Sequence, residues 1–356
     1  MSRVGSSSSP CRTRPSKCIW RATVLPPEPP RRRCTKDSKR VVQCKERAVS
    51  DVLIKPPDNG FPAGWTSVTK HDEPVANTGI GFAIWRLVAG SDAEITAEDE
   101  TALLLMSGHG RFELEDRDIE FSRDRLFDDG PYCLHVCAGT RIRVHCDADV
   151  EFCVFTCPNQ QGFATEVVAP EDIPVELRGK DQADNACLRL VRTVLLPSSL
   201  RTDGKTTGRM ELDLGEVVTL PGRWSSYPAH RHPQPEIYHY RFTARQGYGH
   251  AELGDEVYRI SHADTVKILD GVYHSQVAAP GYGMYYFYLS RDAAGEAFEN
   301  PQFDSEHAWI KDADAEFWMP AGFGRGALGV GTASGEHAWS GEQADYWRPA
   351  PKSKRS

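Results

Sequence analysis

The sequence predicts an all-β protein built from two successive sets of short strands. Three observations carry that prediction. Short apolar runs rich in Val, Ile, Leu, Phe and Tyr recur between Gly, Asp and Pro turns, the rhythm of a sandwich or barrel. The chain holds 30 Gly and 24 Pro and few stretches of helical period. The rhythm breaks at the linker-like Ala169-Pro-Glu-Asp-Ile-Pro174 and then restarts.

Taken in order, Ile80–Val88 reads as a strand, and Ala102–Met106 as another, closed by a turn at Ser107-Gly-His-Gly110. Arg111–Leu114, Tyr132–Cys137, Ile142–His145 and Val150–Phe155 follow at short spacing. Beyond the linker, Leu190–Leu196, Met210–Leu214 and Glu216–Leu220 are expected strands, and Pro221-Gly-Arg223 is a turn. Glu236–Phe242, Gly249–Leu253, Glu256–Ile260, Thr265–Leu269, Ser275–Ala278 and Met284–Leu289 complete the second set. The expected organisation is a basic tail over 1–50, a first β-domain over 51–180, a second over 181–318 and an irregular Gly-rich end over 319–356. No sequence repeat relates the two sets, so the duplication rests on rhythm alone.

Charge divides the chain. Residues 1–50 carry 13 Lys and Arg against Glu28, Asp37 and Glu46, a net +10, which leaves −18 for the remainder. The overall charge of −8 argues against a general nucleic-acid binder. No apolar run approaches the roughly 18 residues of a membrane-spanning helix, so neither nucleic acid nor a bilayer is an expected partner. The tail shows no apolar period and reads as disordered. Its Arg- and Ser-rich, acid-poor composition also suits an organellar import segment, a nuclear-type basic patch or a mis-assigned start, and it lacks the apolar core of a secretory signal. The expected location is cytoplasmic, with organellar import as the alternative.

Ten cysteines are present. The Cys-x3-Cys spacings at Cys133/Cys137 and Cys153/Cys157 tempt a zinc reading, but both lie in strand-like sequence. Positions i and i+4 of a strand stand about 13 Å apart, too far to share an ion. Buried free thiols in a reducing compartment are expected.

The chemistry concentrates in Trp224-Ser-Ser-Tyr-Pro-x-His230-x-His232, followed by Glu236 after a Pro-Gln-Pro turn. On a strand, His230 and His232 project from one face, about 6.6 Å apart along the chain. The chain then doubles back to offer Glu236 to the same point, and His274, on a later strand after Gly271, closes the set from the opposite wall. Three imidazoles and one carboxylate suit a divalent ion, Zn, Mn, Fe or Ni, and leave positions open for substrate. If the following strand carries no bulge, Tyr238 and Tyr240 alternate inward with Glu236, while His239 and Arg241 point outward.

His-x-His-x3-Glu with a later Gly-x-x-His resembles the two metal motifs of the cupin superfamily. The wider context, Gln246-Gly-Tyr-Gly249, Tyr273-His274, Val277-Ala-Ala-Pro-Gly-Tyr282, Tyr285-Tyr286 and Asp304-x-x-His-x-Trp309, resembles the 5-deoxy-glucuronate isomerase family of myo-inositol catabolism. Gly64-Trp65, Phe82-x-x-Trp-Arg-Leu-x-Ala-Gly90, Gly130-Pro-Tyr132 and Arg178-Gly-Lys180 extend the likeness to the first half. It spans about residues 51–318. The resemblance implies a bicupin, two double-stranded β-helix (jelly-roll) barrels in tandem, with ligands in the second only. The first set has no His-x-His around Ile95–Thr101, and its His135 and His145 are expected to be ordinary hydrogen-bonded residues. The chain departs from the family in a short loop between His232 and Glu236, a short hairpin after Gly249, Asp270-Gly-Val-Tyr-His274 where Pro-x-Gly-Tyr-His is usual, and Tyr288 where Asn is expected.

The implied activity is a metal-dependent aldose–ketose isomerisation of 5-deoxy-D-glucuronate to 2-deoxy-5-keto-D-gluconate, without an organic cofactor. Candidates for the proton-transfer group are Tyr238, Tyr240, Gln246, Tyr248 and Gln276. Arg223, Arg241, Arg259 and Lys267 compete to bind the carboxylate of a small sugar acid. The alternatives are another metal cupin enzyme, either a related uronate ketol-isomerase or an Fe(II) dioxygenase, and a non-catalytic sugar-binding cupin. A homo-oligomer is expected by default.

Overall fold

Strands dominate the computed structural model, which describes residues 49–196, 209–292 and 301–312 together with 315, 316 and 318. The readings of the basic tail and of the Gly-rich end fall outside these residues, apart from the helix α1 (Val49–Val52). Among the described residues, no helix is long and apolar enough to cross a membrane.

The strands run β1 (Leu53–Ile54), β2 (Gly64–Thr69), β3 (Gly81–Leu87), β4 (Asp92–Thr96), β5 (Glu100–Glu113), β6 (Asp118–Arg123), β7 (Cys133–Val136), β8 (Arg141–Cys146), β9 (Val150–Cys157) and β10 (Glu166–Val168). They continue as β11 (Glu176–Arg178), β12 (Arg189–Leu195), β13 (Leu212–Thr219), β14 (Trp224–Arg231), β15 (Glu236–Phe242), β16 (Tyr248–Leu253), β17 (Glu256–Ser261), β18 (Thr265–Ile268), β19 (His274–Ala278), β20 (Met284–Arg291) and β21 (Gln302–Phe303). β2 to β10 form one wrapped sheet of nine strands. A seven-stranded sheet in the order β1-β18-β15-β20-β13-β12-β11 and a five-stranded sheet in the order β17-β16-β19-β14-β21 form the second β unit. Two short strands inside the expected first domain cross over. β1 pairs with β18, and β11 pairs with β12.

Two sequence readings are corrected. Ser107–Gly110 is no turn, because β5 runs through it and passes from β9 and β7 to β6 and β8 across a register shift. The glycines serve close approach. A Cβ on Gly110 would lie 2.1 Å from the His145 carbonyl oxygen, and one on Gly108 2.4 Å from that of Asp149. Likewise Met210–Leu220 holds one strand, β13, continuous through Gly215. A Cβ there would sit 2.3 Å from the Tyr288 ring.

Period-two alternation sorts side chains into three cores. Trp85, Leu103, Leu105, Phe112, Phe121 and Phe152 fill the first barrel. Their strand neighbours Ile84, Ala102 and Leu104 face the other way and pack on Leu214, Ile237, Tyr285, Phe287 and Leu289. Tyr238, Tyr240, Tyr286, Val191 and Val217 line the second barrel. The seven-stranded sheet is thus buried on both faces, which accounts for its near-continuous apolar strands.

Charged groups at this interface are held in paired sets. Arg123 donates to both carboxylate oxygens of Glu216, at 2.7 and 2.8 Å, and the Tyr285 hydroxyl donates to the same carboxylate at 2.7 Å. Both charged side chains are fully buried. Glu100 of the first barrel accepts the backbone N–H groups of Glu211 and Leu212 and holds His135 at 2.9 Å. His145 likewise lies between Asp92 and Glu113, at 2.8 Å from each. The six described cysteines are free thiols.

Removing one member of a buried ion pair costs about 3–5 kcal/mol, against about 0–1 kcal/mol for an exposed pair. Arg123→Leu is therefore expected to lower the unfolding free energy in urea by that larger amount. Arg143→Leu, which breaks the exposed contacts to Glu94 and Glu113, should change it by the smaller one. Equal losses in the two variants would refute the anchoring role given to Arg123.

Candidate metal centre

β14 leaves the ladder between Ser225 and His230 and rejoins it with His230 directly opposite His274 of β19. Ser226 takes a positive φ of 56° inside this break. His232 follows just past the end of β14, and Glu236 opens β15 on the facing sheet. Gly271 has a physical reason in its motif. Its φ is +60°, and a Cβ would press to 3.2 Å from the His232 carbonyl oxygen, so glycine lets the β18–β19 turn close on the histidine segment.

One ring nitrogen from each of His230, His232 and His274 lies within 4.8 Å of the others. The rings stand 4.4 Å apart for His230 and His274, 5.5 Å for His232 and His274 and 6.0 Å for His230 and His232. Glu236 Oε2 is 3.2 Å from Nε2 of both His232 and His274. That oxygen is buried, yet its geometry satisfies no hydrogen bond. Donor atoms that converge without bonding one another are what a shared cation requires, so the residues fit a divalent ion. His274 Nδ1–H donates to the Val272 carbonyl at 3.1 Å, which leaves the Nε2 lone pair aimed into the cluster.

The electrostatics agree. Burial, reinforced by His274, pushes His230 down to about 3, so this imidazole is neutral. Burial alone would raise the Glu236 carboxyl, but His232 and His274 hold it well below the usual carboxylate range. Burial opposes the charge on His232, and Glu236 outweighs it and raises the pKa. A neutral imidazole and an ionised carboxylate are the ligand forms a metal binds.

His230, His232 and Glu236 form one wall of a cavity of about 330 Å³, and His274 is buried beside them, a volume within the usual range for small-molecule sites. Tyr238 lines it, with its hydroxyl 3.4 Å from His274 Nε2 and its ring stacked on Tyr286. The other proposed proton-transfer groups do not line it. Tyr240 and Gln276 are buried deeper in the barrel, without hydrogen-bond partners for their hydroxyl and amide among the described residues. Gln246 is exposed, and Tyr248 lies under the Arg259 guanidinium on the outer face.

The four proposed carboxylate binders are also corrected. Arg241 and Lys267 alternate outward, as β15 and β18 dictate, and meet Glu151 and Glu73 of the first β-set at 2.6 and 2.5 Å. Their "outside" is the inter-barrel interface rather than solvent. Arg259 is exposed and Arg223 follows the β13–β14 turn, and neither lines the cavity. The cations that do line it are Arg178 and Arg189, and Asp213 and Tyr288 stand with them. Arg178 lies in the Arg178-Gly-Lys180 motif, a readable signal. Asp213 takes an ordinary polar place in the alternation of Met210-Glu-Leu-Asp-Leu214, and like Arg189 it carries no local mark.

Comparison with known proteins places this geometry. A family model described as KduI/IolB matches residues 53–310. The 5-deoxy-glucuronate isomerase of Geobacillus kaustophilus is 27% identical over 254 residues, covering 66% of this chain and 86% of the relative. That of Lacticaseibacillus casei is 27% identical over 268 residues, covering 69% and 92%. Among solved structures, an IolB-like protein from Salmonella typhimurium aligns with a TM-score of 0.61 at 25% identity, covering 73% of this chain and 99% of that one.

His232→Ala and His274→Ala are each expected to reduce bound divalent metal by at least tenfold in elemental analysis while the far-UV circular dichroism stays that of the parent. Full metal content in either variant would remove these residues from the site.

Proposed function

The chain belongs to the KduI/IolB family, and from that premise we propose that it is a metal-dependent aldose–ketose isomerase acting on a sugar acid, with 5-deoxy-D-glucuronate as substrate and 2-deoxy-5-keto-D-gluconate as product. The convergence of His230, His232 and His274, with Glu236 Oε2 3.2 Å from two of the three at the cavity wall, is the observation that supports this reading. The names of the relatives agree with it. The reaction needs no nicotinamide or nucleotide, and its expected setting is the cytoplasm.

Isomerisation carries a weakly acidic carbon-bound proton from C2 to C1 through an enediolate. A divalent ion held by the four ligands would supply Lewis-acid stabilisation of the carbonyl and adjacent hydroxyl oxygens. The rest falls to side chains. Asp213 is the best-placed base. It shares one cross-sheet row with Ser290 and Glu236 and accepts a hydrogen bond from the Ser290 hydroxyl at 3.3 Å. Burial, reinforced by the Glu236 carboxylate, raises its carboxyl to about 7, close to the working pH of a general base. Its carboxylate takes the proton from C2 and returns it to C1, so it ends the cycle unchanged. The stacked rings of Tyr238 and Tyr286 wall the site against water, which protects the enediolate.

Purified protein supplied anaerobically with 5-deoxy-D-glucuronate in D2O is expected to form the ketose, with solvent deuterium entering at the former aldehyde carbon, the hydroxymethyl carbon of the product. Oxygen-dependent turnover of a thiol or aromatic diol, with no aldose conversion, would instead select the dioxygenase reading. Asp213→Asn should lower kcat by about 10²–10⁴-fold with metal content unchanged. Because the ionised carboxylate is the active form, kcat of the parent should rise with pH through the ionisation of Asp213. That limb should vanish in Asp213→Asn, and an unchanged pH profile would move the base elsewhere.

A further inference from the structure

The strongest unassigned feature is a cation that, among the described residues, has no counter-ion, in the cavity wall away from Asp213. Arg123 and Arg192 approach Glu216, Arg241 meets Glu151 and Lys267 meets Glu73. Arg189 begins β12, three residues before Arg192, and alternation turns it the other way, toward the cavity. Its guanidinium donates to the Cys187 carbonyl at 3.0 Å, and among the described residues no carboxylate stands within ion-pair distance of it. Arg178 is its direct cross-strand partner on β11 and also lines the cavity. Arg178 spends Nε on Glu176, at 2.9 Å, and keeps both terminal amino groups for another acceptor. Like charges directly opposite in a sheet are destabilising, and an anion between them reverses the sign.

We infer that Arg189, assisted by Arg178, is a carboxylate-binding site that holds the acid end of an open-chain sugar acid while its aldehyde end lies at the histidine cluster. This rests on the isomerase reading for the second half of the statement only. A guanidinium binds a carboxylate through two parallel N–H···O bonds, which fix direction as well as distance.

The polarity of the cavity supports the assignment. Glu236 and Asp213 share one cross-sheet row, and Asp292 lines the same end. Arg189 pairs with Thr219, six residues along β13 from Asp213. The two rows stand six residues apart along β13, and the Arg189 side chain faces back toward the cluster, where burial lowers the His230 pKa and the Arg189 charge adds to the effect. An acid therefore enters with its carboxylate away from the carboxylates of the protein and toward the two guanidinium groups. One end of the substrate is held by charge, so the other is presented in a single register to Asp213. Burial, reinforced by the charge of Arg178, lowers the Arg189 pKa, the state of a cation awaiting an anion.

The test separates binding from turnover by using D-gluconate, an acid without an aldehyde, against D-glucitol, its neutral counterpart. Calorimetry on the full-length, metal-loaded protein should detect D-gluconate and show at least tenfold weaker binding of D-glucitol. Arg189→Gln should weaken D-gluconate by about ten- to a hundredfold, Arg178→Gln by less, and Arg189→Lys should fall between parent and Gln. In steady state, KM for the aldose acid should rise more than kcat falls. Parent-like D-gluconate affinity in a folded Arg189→Gln variant would overturn the assignment. Should that variant not fold, parent-like affinity in both Arg189→Lys and Arg178→Gln would do the same. If D-gluconate binds through Arg189 but no aldose is converted, the isomerase reading fails and the carboxylate site stands.

Discussion

The β12–β13–β20–β15 sheet is buried on both faces, and the placement of every functional group in the second barrel depends on that constraint. On one face Leu214, Ile237, Tyr285, Phe287 and Leu289 pack against the first barrel. On the other, Asp213, Glu236, Tyr238 and Tyr286 reach the cavity. Because alternation has a period of two, a one-residue slip of any strand would exchange the two sets. The slip would put Glu216 in the cavity and Asp213 in an apolar interface. The Arg123–Glu216 pair opposes it, since Glu216 finds its donors only on the interface side. The first barrel thus serves the chemistry without touching it, by holding the register of the strands that carry it.

The cavity face is electrically divided. The histidine cluster brings one ionised carboxylate among imidazoles of which His230 is held neutral, Asp213 and Asp292 add acidity at the same end, and the two arginines stand at the other. Glu236 has its charge offset by its neighbours, whereas Asp213 is raised toward neutrality because burial and Glu236 both oppose its ionisation. Two carboxyls in one row are thereby separated into one suited to hold a cation and one suited to exchange a proton. Environments that push neighbouring titratable groups apart are how a single site assigns such roles.

The candidate metal cluster was legible because His230, His232 and Glu236 fall within seven residues, where strand alternation and a short turn fix their relative positions. The fourth was flagged by Gly271-x-x-His274, whose glycine answers to a positive φ and a close carbonyl. The strand pattern was legible wherever apolar runs were bounded by turns. It failed at Gly108, Gly110 and Gly215, where glycine marks a close approach of another chain segment and not a bend, a distinction that only the tertiary neighbour decides. The substrate cations were misassigned for a related reason. Arg241 and Lys267 are strand residues near the ligands in sequence, yet their counter-ions, Glu151 and Glu73, come from the first β-set. Arg189 lies far from the ligands in sequence, and its lack of a counter-ion among the described residues is a property of the folded surroundings.

The departure at Tyr288 belongs to the same logic. Tyr238 and Gly215 are its cross-strand neighbours on either side, and its ring lies where any side chain at Gly215 would have to be. A tyrosine and a glycine across one sheet therefore occupy the space that two medium-sized side chains would otherwise share. Tyr288 and Tyr238 flank the row of Asp213 and Glu236 with aromatic surface, between the acidic end and the arginines. On the proposed reading, Arg189 and the histidine cluster would take the two polar ends of the substrate, and these rings would line its middle. Such a wall would favour an acid with a methylene in its interior over a fully hydroxylated one, because a hydroxyl against the ring face would be desolvated without a partner.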